Sequence, residues 1–199
     1  MNKKHWNLNY FLAKLKLKIV ELLYPDHPWL TYESIKILNN ELKSDFIGFE
    51  FGSGRSTLWL SKKIKFLTSI EHSEEYYIKV NKEIAKNSIV NCSLLHQTGK
   101  DYYKILQSQS DYSIDFILID GIFRDKLLEI ALQKISKRGI ICFDNANLYL
   151  VNKKSTSPGS IKILDKAFEN LIPKLQQFEL NWTTNSVWDT LIIKHKNAI

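Results

Sequence analysis

Residues 46–63 read FIGFEFGSGRSTLWLSKK, and this stretch decides the fold. Residues 46–51 have the apolar character of a buried strand, and residues 56–63 resume with helical character. Between them stand Gly52, Ser53 and Gly54. A strand feeding a glycine turn that opens a helix is the start of a ligand-binding β-α-β unit. Glycines let the backbone turn sharply and approach a ligand, and the helix start offers unpaired N–H groups. The next strand ends at Glu71, 19 residues beyond Gly52, where a pair of ribose hydroxyls would be gripped. The dinucleotide pattern G-x-G-x-x-G needs glycine at position 57, which is Thr57. Glu50, at the strand end, suits a cofactor with a cationic or zwitterionic group better than a pyrophosphate.

Outward from this stretch the alternation continues. Strands are predicted at 66–71, 91–96, 115–120 and 139–144, and helices at 73–87, 100–108 and 124–136. The strands are apolar throughout, as a sheet covered on both faces requires. The fold class is therefore α/β, a doubly wound, Rossmann-like and mostly parallel sheet. Residues 145–160 form a long polar loop, a candidate lid. A helix over 161–172 is stopped by Pro173, and two final strands joined by a short turn read as an antiparallel hairpin. Upstream, Thr31 is a plausible N-cap for a helix beginning at residue 32. Residues 1–28 read as an N-terminal helical arm and 29–199 as one domain. In the arm, Phe11, Leu12, Leu15, Ile19, Leu22 and Leu23 share one helical face. The favoured reading packs that face on the domain; the alternative is a membrane-surface or partner helix, because lysines are interleaved.

The chain has 199 residues and a formal charge of +7, from 25 Lys and 3 Arg against 21 acidic residues. Dispersed lysine without arginine clusters describes a solvated surface and argues against a nucleic-acid partner. Cys92 and Cys142 stand alone, which excludes a disulfide scaffold and a zinc finger. No apolar run reaches the ~18 residues of a membrane span. Lys14, Lys16 and Lys18 break any signal-peptide core. A cytoplasmic protein is expected.

Four segments resemble class I S-adenosylmethionine-dependent methyltransferases: EFGSGRSTLWLS (50–61), TSIEH (68–72), FILIDGIFR (116–124) and GIICFDNAN (139–147). The resemblance covers most of the chain from about Trp29. It is closest to small bacterial members whose tails are similar to WTTNSVWDT (182–190). It implies a seven-stranded sheet ending in an antiparallel hairpin and S-adenosylmethionine as cofactor. It implies that Gly52, Ser53, Gly54 and Ser56 line the methionine part, Glu71 the ribose and His72 the adenine. The loop Gln97-Thr98-Gly99, with Asp101 as its acidic residue, is the family's other adenine contact. Glu50 and Asp120 complete the expected cofactor set.

The predicted strands ending at Asp120 and at Asp144-Asn145 should be neighbours, and ligands bind beyond such ends. Asp120, Asp144 and Asn145 form a hard-oxygen set suited to Mg²⁺ or a similar divalent cation. This is similar to the catechol O-methyltransferase-like branch, which carries Lys at the position of Phe123; here the basic residue is Arg124. In the alternative, Asp120 faces the cofactor amine or substrate, or shares a proton with Asp144 as a base, and Asp144 and Asn145 cap the loop. Arg124 either pairs with these carboxylates or clamps an anionic substrate. Asp120, Arg124 and Asp144 are thus the catalytic candidates. Trp29, Tyr32, Trp182 and Trp188 are candidate pocket walls. The expected activity is methyl transfer to a small-molecule or glycan-like acceptor, at oxygen. An RNA or DNA methyltransferase and a non-catalytic binding module are the alternatives.

Overall fold

A computed structural model describes residues 8–153 and 155–196. Seven strands form one sheet: β1 (Ile47–Phe51), β2 (Phe66–Glu71), β3 (Cys92–His96), β4 (Ile114–Ile119), β5 (Ile135–Phe143), β6 (Phe178–Thr184) and β7 (Asp189–His195). Their order is β3-β2-β1-β4-β5-β7-β6. The first five run parallel, whereas β7 is antiparallel to both β5 and β6. The order reverses between β1 and β4, which opens a crevice at their carboxyl ends. This is the doubly wound sheet with a terminal hairpin that the sequence predicts.

Strand alternation sends successive side chains to opposite faces. On β4, Ile117 and Ile119 join a core with Leu127, Leu128 and Ala131. Those three come from α6 (Arg124–Lys134). Phe116 and Leu118 join the other core with Ile35, Leu38, Trp59 and Leu60. These belong to α2 (Tyr32–Glu41) and α3 (Arg55–Ser61). All of β4 is buried, so its continuous apolar run follows from two covered faces. Thr31 caps α2, its hydroxyl accepting from the Ser34 N–H.

Three predicted elements differ. β5 begins at Ile135, directly after α6, because Ile135 pairs with Ile114 before the register shifts to Phe116–Ile140. In place of one helix over 161–172 stand α7 (Lys166–Glu169) and α8 (Ile172–Leu175). Pro173 sits in the first turn of α8, where its missing N–H leaves no bond unmade, so it admits a helix instead of ending one.

The third difference is in α1 (Leu8–Leu23). The apolar face expected to pack on the domain points outward: Leu15, Leu22 and Leu23 are 59%, 78% and 67% exposed. Ala13, Leu17 and Val20, on the opposite side, turn toward the domain and line a cavity. The arm's residues 1–7 lie outside the described residues. No helix among the described residues is long and apolar enough to cross a membrane.

Candidate functional site

The carboxyl ends of β1, β2 and β4 surround a cavity of about 430 Å³. Its wall contains Gly52, Ser53, Gly54, Ser56, Glu71, His72 and Asp120, seven of the eight expected cofactor contacts. Pro28, Trp29, Leu30 and Arg55 close the side toward the N-terminal arm. The Arg55 guanidinium lies 5.1 Å from the centre of the Trp29 ring.

The glycine loop is held from two directions. Gly52 has φ +95°, and a Cβ there would stand 3.0 Å from the Asp120 carbonyl carbon and the Gly121 nitrogen. Only glycine lets the loop pass this close to the end of β4. From the β2 side, Glu71 Oε2 accepts from the Ser53 N–H at 2.8 Å and the Ser53 hydroxyl at 3.1 Å. Its Oε1 accepts from the N–H groups of His72 and Ser73 at 2.9 and 2.8 Å. The His72 imidazole Nδ1 lies 3.1 Å from the same oxygen. These four bonds fill the acceptor sites of the carboxylate, so a hydroxyl pair would meet Glu71 in place of the Ser53 hydroxyl, the one rotatable donor among them.

Glu50, the eighth expected contact, lies beneath the loop. It is fully buried and outside the cavity wall. Its Oε2 accepts from the hydroxyls of Thr57 and Ser69, each at 2.6 Å. Thr57 Oγ1 in turn accepts from the Gly54 N–H at 3.0 Å. Thr57, where a dinucleotide fingerprint has glycine, thus ties Gly54 to Glu50. Burial pushes the Glu50 carboxyl up to about 7. Glu50 thus meets the cavity only through the loop that it fastens.

Asp120, Asp144 and Asn145 do converge, but around Arg124. The Arg124 Nε donates to the Gly121 carbonyl at 2.8 Å. One terminal nitrogen donates to the Asp120 carbonyl at 2.7 Å, to Asp120 Oδ1 at 2.9 Å and to Asn145 Oδ1 at 3.4 Å. The other donates to the Asp144 carbonyl. The guanidinium also lies over the Tyr149 ring. Asp144 is buried; Oδ1 accepts from the Thr190 hydroxyl at 2.6 Å and Oδ2 from the Asn145 amide at 2.9 Å. Both its oxygens are therefore turned to side-chain donors, and a fixed cation already stands between the strand ends. The donor set does not fit a divalent ion. Among the described residues no group of three or more His, Cys, Asp and Glu side chains is placed to hold a metal.

The catalytic candidates separate in the same way. Asp120 lines the cavity, whereas Arg124 and Asp144 are buried outside its wall. Burial raises the Asp120 carboxyl, with the charge and hydrogen bond of Arg124 opposing. Burial, then the Asp120 charge, raises Asp144 above the usual carboxylate range. Gln97, Thr98, Gly99 and Asp101 lie outside the wall, and Asp101 pairs with Lys104 at 2.8 Å.

The 145–160 loop is tied to the hairpin. Asp189 is fully buried and accepts from the hydroxyls of Ser155 and Ser157 and from the Trp182 indole at 2.8 Å. Its own N–H donates to Asn147 Oδ1 at 3.0 Å. Asp189 and Thr190 of the WDT tail are therefore structural anchors. Trp29, Tyr32 and Trp188 do wall a pocket, a second cavity beside the first.

No protein-family model matches the chain. No curated protein matches it. Solved structures do. An rRNA methylase from Streptococcus thermophilus superposes with a TM-score of 0.58 at 12% identity, covering 82% of this chain and 95% of that one. SMU.1697c from Streptococcus mutans, in complex with SAH, gives 0.58 at 16% identity, covering 82% and 96%. A methyltransferase from Geobacter sulfurreducens gives 0.59 at 13% identity, covering 92% and 88%. At such identities the likeness is one of fold. This chain has the fold of the class I S-adenosylmethionine-dependent methyltransferases.

Proposed function

We propose that the chain is an S-adenosylmethionine-dependent methyltransferase of the cytoplasm that acts at oxygen on a small or medium acceptor. The observation that carries this reading is the cavity at the switch point of the sheet, where Glu71 fixes Ser53 and the loop of Gly52 to Ser56 forms one wall. At Gly54 a Cβ would meet nothing within 4 Å, so the missing side chain leaves open space in the cradle. A cavity of this size suits a nucleoside-sized ligand. The SAH held by one structural neighbour supports the same assignment.

The cofactor supplies an electrophilic methyl group on a sulfonium. The chain's task is to orient the acceptor, exclude water and remove one proton. Gly52, Ser53, Gly54 and Ser56 cradle the amino-acid part, Glu71 takes the ribose hydroxyls, and His72 stands beside the base. Asp120 is the proton acceptor. Its carboxylate takes the hydroxyl proton of the acceptor as that oxygen forms its bond to the methyl carbon and the carbon–sulfur bond breaks. Arg124 keeps Asp120 ionised and fixed, and no step uses a divalent cation.

The +7 charge and the rRNA methylase among the structural neighbours favour RNA as the second reading. One experiment separates them. The protein is incubated with methyl-tritiated S-adenosylmethionine and either a panel of small hydroxylated compounds or total RNA, across a salt series. Label in a small compound, retained at high salt and lost in Asp120→Asn, supports the proposal. Label confined to RNA and falling steeply with salt overturns it.

A further inference from the structure

Beside the cofactor cavity lies a second, partly open one of about 540 Å³, bounded by the inner side of α1, the segment leading into α2 and the β6–β7 turn. Pro28, Trp29, Leu30 and Arg55 belong to both walls, so the two spaces adjoin along one shared edge. The body of the second wall is apolar and aromatic: Leu17, Val20, Tyr24, Tyr32 and Trp188. Its charges balance, Lys16 and Arg55 against Glu21 and Glu33.

This wall carries unspent hydrogen-bonding capacity. Among the described residues five buried side-chain polar atoms lack a partner, and three belong to it: His27 Nδ1, Asn185 Nδ2 and Trp188 Nε1. Buried polar atoms are nearly always paired, with protein or with ordered water, so a polar ligand atom that displaces water from this wall finds partners there. Asn185 Oδ1 accepts from the N–H groups of Val187 and Trp188, each at 2.9 Å. Those two bonds fix the amide's orientation and leave its NH₂ as the free end. The amide and the indole N–H are both donors.

We propose that the second cavity is the acceptor subsite, and that it takes a neutral acceptor with a planar apolar body and a carbonyl or ether oxygen. Asn185 and Trp188 donate to that oxygen, the aromatic wall covers the ring, and the reacting hydroxyl extends past the shared edge of Trp29 and Arg55 to Asp120 in the first cavity. The acceptor role rests on the methyl-transfer reading; the ligand class rests on this cavity alone.

The test uses 4-hydroxyacetophenone as probe, titrated into the ¹⁵N-labelled full chain. The Trp188 indole signal is identified by its loss in Trp188→Phe. The expected result is movement of the Trp188 indole and Asn185 amide signals by the probe, and of the Gly52, Ser53 and Gly54 signals by S-adenosylhomocysteine. Val20→Trp fills the cavity from α1 and weakens the probe by about tenfold or more, leaving S-adenosylhomocysteine within about twofold. 4-Propylphenol, which lacks the carbonyl, binds several-fold more weakly than the probe. Probe shifts centred on the glycine loop, or none up to ~10 mM, overturn the subsite. Probe binding without S-adenosylhomocysteine binding keeps the ligand site and overturns the cofactor reading.

The outer face of α1 carries a second inference independently. Leu12, Leu15, Ile19, Leu22 and Leu23 form one stripe at 100° per residue, each from 49% to 78% exposed. Lys18 flanks it on one side with Lys14 beyond, and Lys16, at the rim of the second cavity, flanks it on the other. The helix's one acidic residue, Glu21, belongs to the cavity wall instead. A second copy would set these lysine flanks against one another, whereas an anionic headgroup layer complements them. We infer that α1 lies in the interface of an anionic bilayer.

Co-sedimentation of the full chain with vesicles tests this. Phosphatidylglycerol/phosphatidylcholine vesicles should retain the protein, less so as salt rises. Phosphatidylcholine vesicles should not, and neither mixture should retain the Leu15→Glu/Ile19→Glu double variant. Equal retention by both vesicle types, or none by either, overturns the inference. So does a dimer in sedimentation velocity that the double variant abolishes.

Discussion

Arg124 and Asp144 are joined side chain to main chain: the guanidinium donates to the Asp144 carbonyl, and with its remaining hydrogens to the carbonyls of Asp120 and Gly121. A rigid planar fork thereby fastens the ends of β4 and β5 where an acidic pair would otherwise repel. Lysine, a point charge, cannot span the same acceptors. Arg124→Met should lower stability by about 3 kcal/mol, because it strands buried carbonyls and a partly buried carboxylate. Arg124→Lys should recover less than half of that. Urea denaturation checks both. A variant of unchanged stability that has lost only methyl transfer would make Arg124 a substrate clamp.

Asp120→Asn should abolish methyl transfer while holding S-adenosylhomocysteine affinity within a few-fold, measured by calorimetry on the same preparation. A base works deprotonated, and burial raises this carboxyl. The rate should therefore climb with pH through a midpoint above the ordinary carboxylate range. A midpoint near 4, or an active Asn variant, would remove Asp120 from the mechanism.

The two loop glycines should part company on substitution. Gly52→Ala strains a positive φ and drives Cβ against the β4 end, costing about 2 kcal/mol in stability as well as binding. Gly54 has an extended φ of 175° and open space at Cβ. Gly54→Ala should leave stability within about 0.5 kcal/mol and weaken S-adenosylhomocysteine by about tenfold. Thermal melts paired with calorimetry distinguish them.

Glu50 makes a pH prediction of definite sign. Its folded carboxyl stands at about 7 against an ordinary 4.5, so the folded state binds more protons across that window. Stability from this group is fully present below 4.5 and is lost as pH rises toward 7, by about 3 kcal/mol at most. Asp120 and Asp144 are raised as well and act in the same direction. Glu50→Gln keeps an acceptor for Thr57 and Ser69 and has no charge to bury. It should flatten the fall in urea midpoint between pH 5 and pH 8 and match or exceed the parent at pH 8. A parent equally stable at both pH values would contradict this.

Much of this molecule is written in local pattern. The strands of 46–51, 66–71 and 115–120 announce themselves because a sheet covered on both faces needs unbroken apolar runs. Gly52 and Glu71 are legible because a backbone turn and a hydroxyl-binding carboxylate each demand one residue type at a set distance. Arg124 is legible only as a candidate, since most of its partners are main-chain carbonyls, and a carbonyl leaves no mark in a sequence. Asp144 reads as a free ligand until Thr190, 46 residues away, is found donating to it. Thr57 reads as a departure from a fingerprint, yet its hydroxyl does the fastening. The outward turn of Leu15 and Leu22 was hidden for another reason: an apolar stripe states that it wants cover without stating whose.

The most direct test of the central claim is calorimetric titration of S-adenosylhomocysteine into the full chain, with NAD as the comparison ligand. The expected result is one site of micromolar affinity for S-adenosylhomocysteine, unchanged by Mg²⁺ or by chelator, and no heat with NAD. A site that accepts NAD in preference, or no S-adenosylhomocysteine binding at any concentration tested, would contradict it.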